Sequence, residues 1–204
     1  MTHKALLLTG PTASGKTPLG EYLERHGLWD IPCVHFDFGA QLRHAAAMPH
    51  PREPLTAEDL EVVRNVLASG ALLEDDQFHV ARKILQEFLG ERQVTDRTWV
   101  VLNGLPRHVG QARDIESLIR MEIVIRLECS PETVVERIRT NAGKDRTGRE
   151  DDELKAVRRR LATFDERTAP LVEHYRAAGV PVEIVRVGPM TTPEGMYRQL
   201  MQTC

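Results

Sequence analysis

The amino-acid sequence predicts an α/β protein in which helices cover both faces of a five-stranded parallel sheet. Short apolar segments alternate with amphipathic helical patterns, as expected when right-handed crossovers connect parallel strands. The apolar segments have no polar face, which is typical of strands that are buried on both sides. The predicted strands are Lys4–Thr9, Cys33–Phe36, Trp99–Leu102, Ile123–Leu127 and Val182–Val187.

Helices are predicted between these strands from apolar spacing and from residues that favour helix ends. Thr56 and Ser130 are good N-caps, and Pro131 suits the first helical position after Ser130. A long helical pattern over 150–178 is interrupted at Pro170, which either kinks the helix or begins a new one. The predicted helices cover residues 16–25, 40–47, 56–70, 76–88, 109–120, 130–139, 150–178 and 193–201.

Composition limits the classes of function. The chain of 204 residues suits a single domain over 1–204. Its 27 basic and 30 acidic residues leave a net charge of −3, which argues against a nucleic-acid binder. No run of about 18 apolar residues exists, so we expect no membrane span. The three cysteines are far apart and the chain enters a strand directly, so we expect no zinc site, no signal peptide and a cytoplasmic location.

A phosphate-binding motif follows the first predicted strand. Residues Gly10–Thr17 form the sequence GPTASGKT, which matches G-x-x-x-x-G-K-[ST] between a strand and a helix. The backbone N–H groups of such a loop and the helix N-terminus bind the phosphates of a nucleoside triphosphate. Lys16 is expected to reach the transferring phosphate and the Thr17 hydroxyl to ligate Mg²⁺. The fold prediction therefore becomes a P-loop NTPase with three α/β/α layers, whose triphosphate contacts are Gly10, Thr12, Ala13, Ser14, Gly15, Lys16, Thr17 and Pro18.

Three further motifs follow later strands or the polar loop at 141–148. They are HFDFGAQLR at 35–43, NGLPRHVGQ at 103–111 and GREDD at 148–152. In this order they resemble the adenylate kinase and nucleoside monophosphate kinase family, whose patterns are H-x-S-T-G-D-x-L-R, D-G-[FY]-P-R-x-x-x-Q and G-R-x-D-D. The resemblance extends to about Tyr175 and includes Thr168-Ala-Pro-Leu, which is similar to the family's T-x-P-[LV].

The resemblance implies an enzyme that transfers the γ-phosphate of ATP to a nucleoside monophosphate with the help of Mg²⁺. It also implies an inserted acceptor-binding lobe at 38–74 and a short lid without zinc at 140–150. The implied catalytic residues are Lys16, Arg107, Arg137, Arg149 and Arg160. The implied acceptor-binding residues are Phe38, Gly39, Arg43, Gly104, Arg107, Gln111, Arg149 and Arg160, with Gln111 reading the base. Arg137 and Gly188 are assigned to the ATP site.

Arginine is the side chain that this chemistry requires, because its planar guanidinium binds phosphate bidentately and stays charged. Seven arginines lie from Arg137 to Arg160 in a chain that is acidic overall. This local excess indicates an anion-binding lid. Arg158 and Arg159 are assigned to a solvated helix face instead.

The chain departs from the family patterns in four places. Asn103 stands where the pattern has an acid that helps to hold the Mg²⁺ hydration shell, and an amide brings no negative charge. Either other groups hold the metal, with help from Asp37, or the activity is reduced. We assign Asn103 to the metal site as a residue that contacts Mg²⁺ through a water molecule. Asp37-Phe38 replaces a Ser-Thr pair and removes a hydroxyl from the acceptor pocket, so the resemblance does not assign AMP as the acceptor. The phosphate-binding loop ends Gly-Lys-Thr17-Pro18, whereas the family's loop ends Gly-Lys-Gly-Thr. Asn141 stands where a lid arginine is expected, and Arg139 or Arg146 would have to substitute for it.

Three alternatives stay open at this point. A kinase of the same core could act on an acceptor other than a nucleotide, and a nucleotide-binding protein could have weak catalysis. The string GPTASGKT also resembles the P-loop of tRNA prenyltransferases, but residues 35–43 do not match the segment that follows it there. The main hypothesis is a monomeric enzyme whose partners are ATP and a nucleoside monophosphate.

Overall fold

A computed structural model describes residues 2–143 and 154–202 of the chain. Its sheet has five parallel strands in the order β2-β3-β1-β4-β5. The strands are β1 His3–Thr9, β2 Cys33–Asp37, β3 Trp99–Asn103, β4 Ile119–Glu128 and β5 Val182–Arg186. The predicted fold class is confirmed, and the five predicted strands differ from these only at their ends.

Helices connect the strands in the predicted order. Those in the described part of the chain are α1 Lys16–His26, α2 Phe38–Ala46, α3 Ala57–Ser69, α4 Phe78–Glu91, α5 Val109–Ile115, α6 Pro131–Thr140, α7 Leu154–Thr163, α8 Pro170–Ala177 and α9 Pro193–Met201. Thr56 and Ser130 cap α3 and α6 as predicted, and each side-chain oxygen accepts a backbone N–H bond. None of the helices within these ranges is long and apolar enough to cross a bilayer.

Some helix ends were predicted wrongly. The helix predicted over 109–120 ends at Ile115, and β4 begins at Ile119, because Ile119 pairs with His3 of β1. The helix predicted from Asp76 begins two residues later, after a 3-10 turn at Asp75–Gln77. The interruption predicted at Pro170 is confirmed, since α8 begins there after a π-helical segment, Phe164–Thr168; residues 150–153 lie outside the described ranges.

The core lies on both faces of the sheet. Along β1, Ala5 and Leu7 belong to a cluster that packs against α2 to α5 and α8, whereas Leu6 and Leu8 belong to a cluster with α1 and α9. Alternate side chains of a strand point to opposite faces, so a continuous apolar run can fill both clusters. The lack of a polar face in the sequence is explained by these two layers of helices.

Arg137 of α6 joins two loops at the carboxyl edge of the sheet. The residue is 2% exposed. Its Nε donates to the Ala13 carbonyl at 2.8 Å, and its Nη1 donates to the carbonyls of Gly188 and Thr191 at 3.1 and 2.9 Å. A buried guanidinium is tolerated only when its N–H groups find acceptors. The loop after β1 and the loop after β5 are therefore held together through one side chain.

We expect Arg137→Met to lower the free energy of unfolding by about 3 kcal/mol, because the hydrogen bonds of a buried charged donor to the carbonyls of Ala13, Gly188 and Thr191 are lost. Chemical denaturation measures this change. The matched control is Arg139→Met on the same helix, since Arg139 is exposed and pairs with Glu136 within one turn. It should leave stability nearly unchanged. Equal stability of the two variants would contradict the role given to Arg137.

Candidate active site

The loop between β1 and α1 needs glycine at two positions. Gly10 has a φ of +152°, and a Cβ there would lie 2.8 Å from the Leu127 carbonyl oxygen. Gly15 has a φ of +95° and immediately precedes α1. The loop wraps around the Lys16 ammonium group, which donates to the carbonyls of Gly10 and Pro11 at 2.7 Å each. The result is a compact loop whose N–H groups and helix N-terminus border a cleft.

The cleft has a volume of about 270 Å³ and lies at the carboxyl edge of the sheet. Within the described ranges its lining includes four basic side chains, Lys16, Arg43, Arg107 and Arg160, and a single carboxylate, Asp37. Such an excess of positive charge, in a protein of net charge −3, favours an anionic ligand.

The structure brings most of the predicted site residues together in this cleft. Those that line it are Gly10, Thr12, Ala13, Gly15, Lys16, Thr17, Phe38, Gly39, Arg43, Asn103, Gly104, Arg107, Gln111 and Arg160. Four predicted residues do not line it: Ser14, Pro18, Arg137 and Gly188. Arg149 lies outside the described residues, so its role stays a prediction, as does the contact of Arg137 with a transferring phosphate.

Arg107 stands out among the cations of the cleft. Burial and the neighbouring Arg160 cation both lower the pKa of its guanidinium. Within residues 2–143 and 154–202 its hydrogen bonds are made by its backbone: its N–H donates to Gln111 Oε1 and its carbonyl accepts from Thr168 Oγ1, both at 2.8 Å. The backbone of Arg107 is thus held at two points while its charge faces the cleft. A phosphate would relieve the repulsion between the two arginines.

Gln111 is almost completely buried, at 1% exposed. Its Nε2 donates to the Leu73 carbonyl at 2.8 Å, and His108 Nε2 lies 3.1 Å from the same oxygen. Gln111 Oε1 accepts from the Arg107 backbone N–H. The two hydrogen bonds of the amide therefore connect the segment after α3 with the junction between β3 and α5. The predicted contact of Gln111 with an acceptor base stays a prediction.

Arg160 and Arg43 reach the cleft from two different helices. Arg160 on α7 donates from Nη1 to Thr12 Oγ1 at 3.3 Å, which places it beside the phosphate-binding loop. Arg43 on α2 is exposed, and its Nη1 would lie 3.3 Å from a Cβ on Gly39. Glycine at 39 therefore leaves room for the Arg43 guanidinium. Phe38, next to it, is buried and stacks on Phe36 with 6.0 Å between ring centroids, forming an apolar wall.

Thr17, Asp37 and Asn103 form a hydrogen-bonded group in the lining of the cleft. Thr17 Oγ1 donates to Asp37 Oδ2 at 2.6 Å. The Asn103 amide donates to Asp37 Oδ2 at 2.9 Å and to Thr17 Oγ1 at 3.0 Å. Mg²⁺ prefers oxygen ligands and is usually held by one or two carboxylates together with substrate phosphates and water. These three side chains fit that requirement, and the described residues form no cluster of three or more carboxylate, histidine or cysteine ligands.

Sequence reasoning missed two residues that shape the site. The Leu73 carbonyl, which receives the Gln111 amide, is a backbone group and leaves no trace in the residue pattern. Thr168 had a signal, the Thr-Ala-Pro-Leu segment, but its function of fixing the Arg107 backbone depends on the folded contact.

Comparison with known proteins identifies the family. The family model described as adenylate kinase matches residues 8–180. An adenylate kinase of Xanthomonas euvesicatoria pv. vesicatoria is 32% identical over 188 residues, which cover 90% of this chain and 91% of that protein. An adenylate kinase of Parvibaculum lavamentivorans is 30% identical over 181 residues, which cover 85% and 80% of the two chains. These matches leave no support for the tRNA prenyltransferase alternative, and the chain belongs to the adenylate kinase family of phosphotransferases.

Proposed function

We propose that the protein transfers the γ-phosphate of Mg-ATP to a nucleoside monophosphate. The observation that carries this proposal is the placement of Lys16 on the P-loop and of Arg43 and Arg107 across the same cleft. A donor and an acceptor phosphate each need a cationic partner. Arg160 contacts Thr12 of the P-loop and lowers the pKa of Arg107 by repulsion. Arg160 is therefore close both to the donor-binding loop and to an arginine proposed to bind the acceptor.

Phosphoryl transfer requires positioning and charge neutralisation rather than a covalent enzyme intermediate. Lys16 and the loop N–H groups bind the donor phosphates, and Arg43 and Arg107 orient the acceptor phosphate. Arg160 stabilises the charge on the transferring group. Thr17, with Asp37 and Asn103, would hold Mg²⁺, which when bound neutralises charge on the donor phosphates. Arg137 supports the donor side through the Ala13 and Gly188 carbonyls.

The proposal includes an acceptor lobe at 38–74 and a short lid at 140–150 that excludes water and carries Arg149. It also includes a monomer, because one chain supplies the cations for both phosphates. A cytoplasmic location is proposed from the scarcity of cysteine; Cys33 and Cys129 carry free thiols in the described residues.

A second candidate is a kinase of the same family core that acts on a non-nucleotide acceptor. Two observations favour it. The Gln111 amide is occupied by backbone groups on both sides, and Phe38 lines the acceptor side with an apolar ring. Such a pocket offers a nucleotide base fewer polar contacts than a pocket that carries the Ser-Thr pair of the family pattern.

An acceptor screen distinguishes the two candidates. We expect Mg-ATP with one or more of AMP, CMP, UMP, GMP and dAMP to yield ADP and the matching diphosphate, measured by separation of the nucleotides. The control is Mg-ATP without acceptor, which should give no ADP. If none of the five acceptors turns over, the nucleoside monophosphate proposal is wrong and the second candidate replaces it.

We expect Lys16→Ala and Arg107→Ala to lower kcat/KM by about a hundredfold or more, since each removes a charge that neutralises the transferring phosphate. Arg107→Ala should raise KM for the acceptor more than KM for ATP. The matched control is Arg158→Ala, which removes an exposed arginine two residues from Arg160. Its rates should stay close to those of the unmodified protein. A near-normal rate in either site variant would remove that residue from the active site.

A further inference from the structure

Asp37 and Asn103 end neighbouring strands at the same level. In the parallel pairing of β2 with β3, Asp37 is the register partner of Asn103. Paired residues of adjacent strands point to the same face of a sheet, about 4.8 Å apart. Both side chains therefore reach the Thr17 hydroxyl, and the measured hydrogen bonds among the three groups lie between 2.6 and 3.0 Å.

The family patterns have a hydroxyl residue at position 37 and an acid at position 103. This chain has an acid at position 37 and an amide at position 103. One carboxylate is present in either arrangement, so the negative charge has been moved by one strand and not removed. The register places positions 37 and 103 side by side, and in this chain both side chains contact the Thr17 hydroxyl.

The two oxygens of Asp37 have different partners. Oδ1 accepts from the backbone N–H of Ala40 at 2.8 Å and caps α2. Oδ2 accepts from Thr17 and from Asn103, and Asp37 is among the residues that line the cleft. The cap fixes the orientation of the carboxylate, and Asn103 fixes its second oxygen next to the P-loop. An acid needed only as a helix cap would not require either of the contacts on Oδ2.

We propose that Asp37 is the acid of the Mg²⁺ site in this protein, that it takes the part given to position 103 in the family patterns, and that Asn103 is a positioning residue for it. The inference rests on the proposed use of Mg-ATP, but not on the identity of the acceptor. It removes the alternative that the loss of an acid at position 103 leaves the metal unsupported.

The first test measures metal dependence without turnover. Calorimetry gives the affinity of the protein for a non-hydrolysable ATP analogue in Mg²⁺ and in EDTA, and the ratio of the two affinities is the metal contribution. We expect Asp37→Asn to reduce this ratio by about tenfold or more, in the range typical when a residue supporting metal ligands is lost. The affinity in EDTA should change little.

Two comparisons separate metal support from structural support. Asparagine caps helices as well as aspartate, so Asp37→Asn keeps the cap of α2. Asp37→Ser keeps a capping oxygen as well and should show the same loss. The matched control, Asp30→Asn, makes the same chemical change in the exposed turn before β2, where asparagine tolerates the φ of +62°. It should leave the ratio unchanged. An unchanged ratio in both Asp37 variants would overturn the proposal.

The second test exchanges the two side chains. Asn103→Asp alone should increase the metal contribution little, because Asp37 already supplies the carboxylate. Asn103→Asp in the Asp37→Asn background should restore most of the metal contribution that Asp37→Asn removes. If Asn103→Asp raises the ratio equally in both backgrounds, the acid at 103 was lost without replacement and the inference is wrong. Since the readout needs no acceptor, failure of the acceptor screen leaves this result standing.

Discussion

The candidate site depends on the parallel pairing of β1 with β3 and β4, because it brings the carboxyl ends of these strands to one edge of the sheet. The P-loop follows β1, the Arg107 segment follows β3, and α6 with Arg137 follows β4. Strand β2 pairs with β3 and adds Asp37 at the same edge. Residues that are far apart in the chain therefore meet at one cleft, and the apolar core on both faces of the sheet holds them there.

Buried polar side chains then fix the loops at that edge. Arg137 binds carbonyls of the loops after β1 and β5, while Gln111 binds backbone groups of Arg107 and Leu73. Each of these contacts satisfies a buried donor that would otherwise be costly. Their common effect is to fix the P-loop and the backbone of Arg107 at the edge where the four cations line the cleft. A bound phosphate would relieve the repulsion between Arg107 and Arg160.

The proposed role of Asp37 links two departures from the family patterns, those at positions 37 and 103. A comparison along the sequence records two separate departures, a lost acid and an unusual aspartate. In the sheet they form one register pair beside Thr17, and under the role proposed for Asp37 the second departure compensates for the first. Thr168 is likewise understood only from the folded contact, since its hydroxyl donates to the carbonyl of Arg107, 61 residues earlier in the chain.

The sequence by itself determined the parallel α/β fold, the P-loop and the membership suggested by the motifs, because these depend on periodicity and on local residue spacing. It placed the end of α5 wrongly, since the apolar spacing of residues 109–120 fits a helix and only pairing with β1 makes Ile119 part of a strand. It also left open which groups support the metal. Only the tertiary structure decided the neighbours of Asp37, Gln111 and Arg137, because hydrogen bonds between distant segments, and to backbone carbonyls in particular, are set by strand register and packing and not by residue pattern.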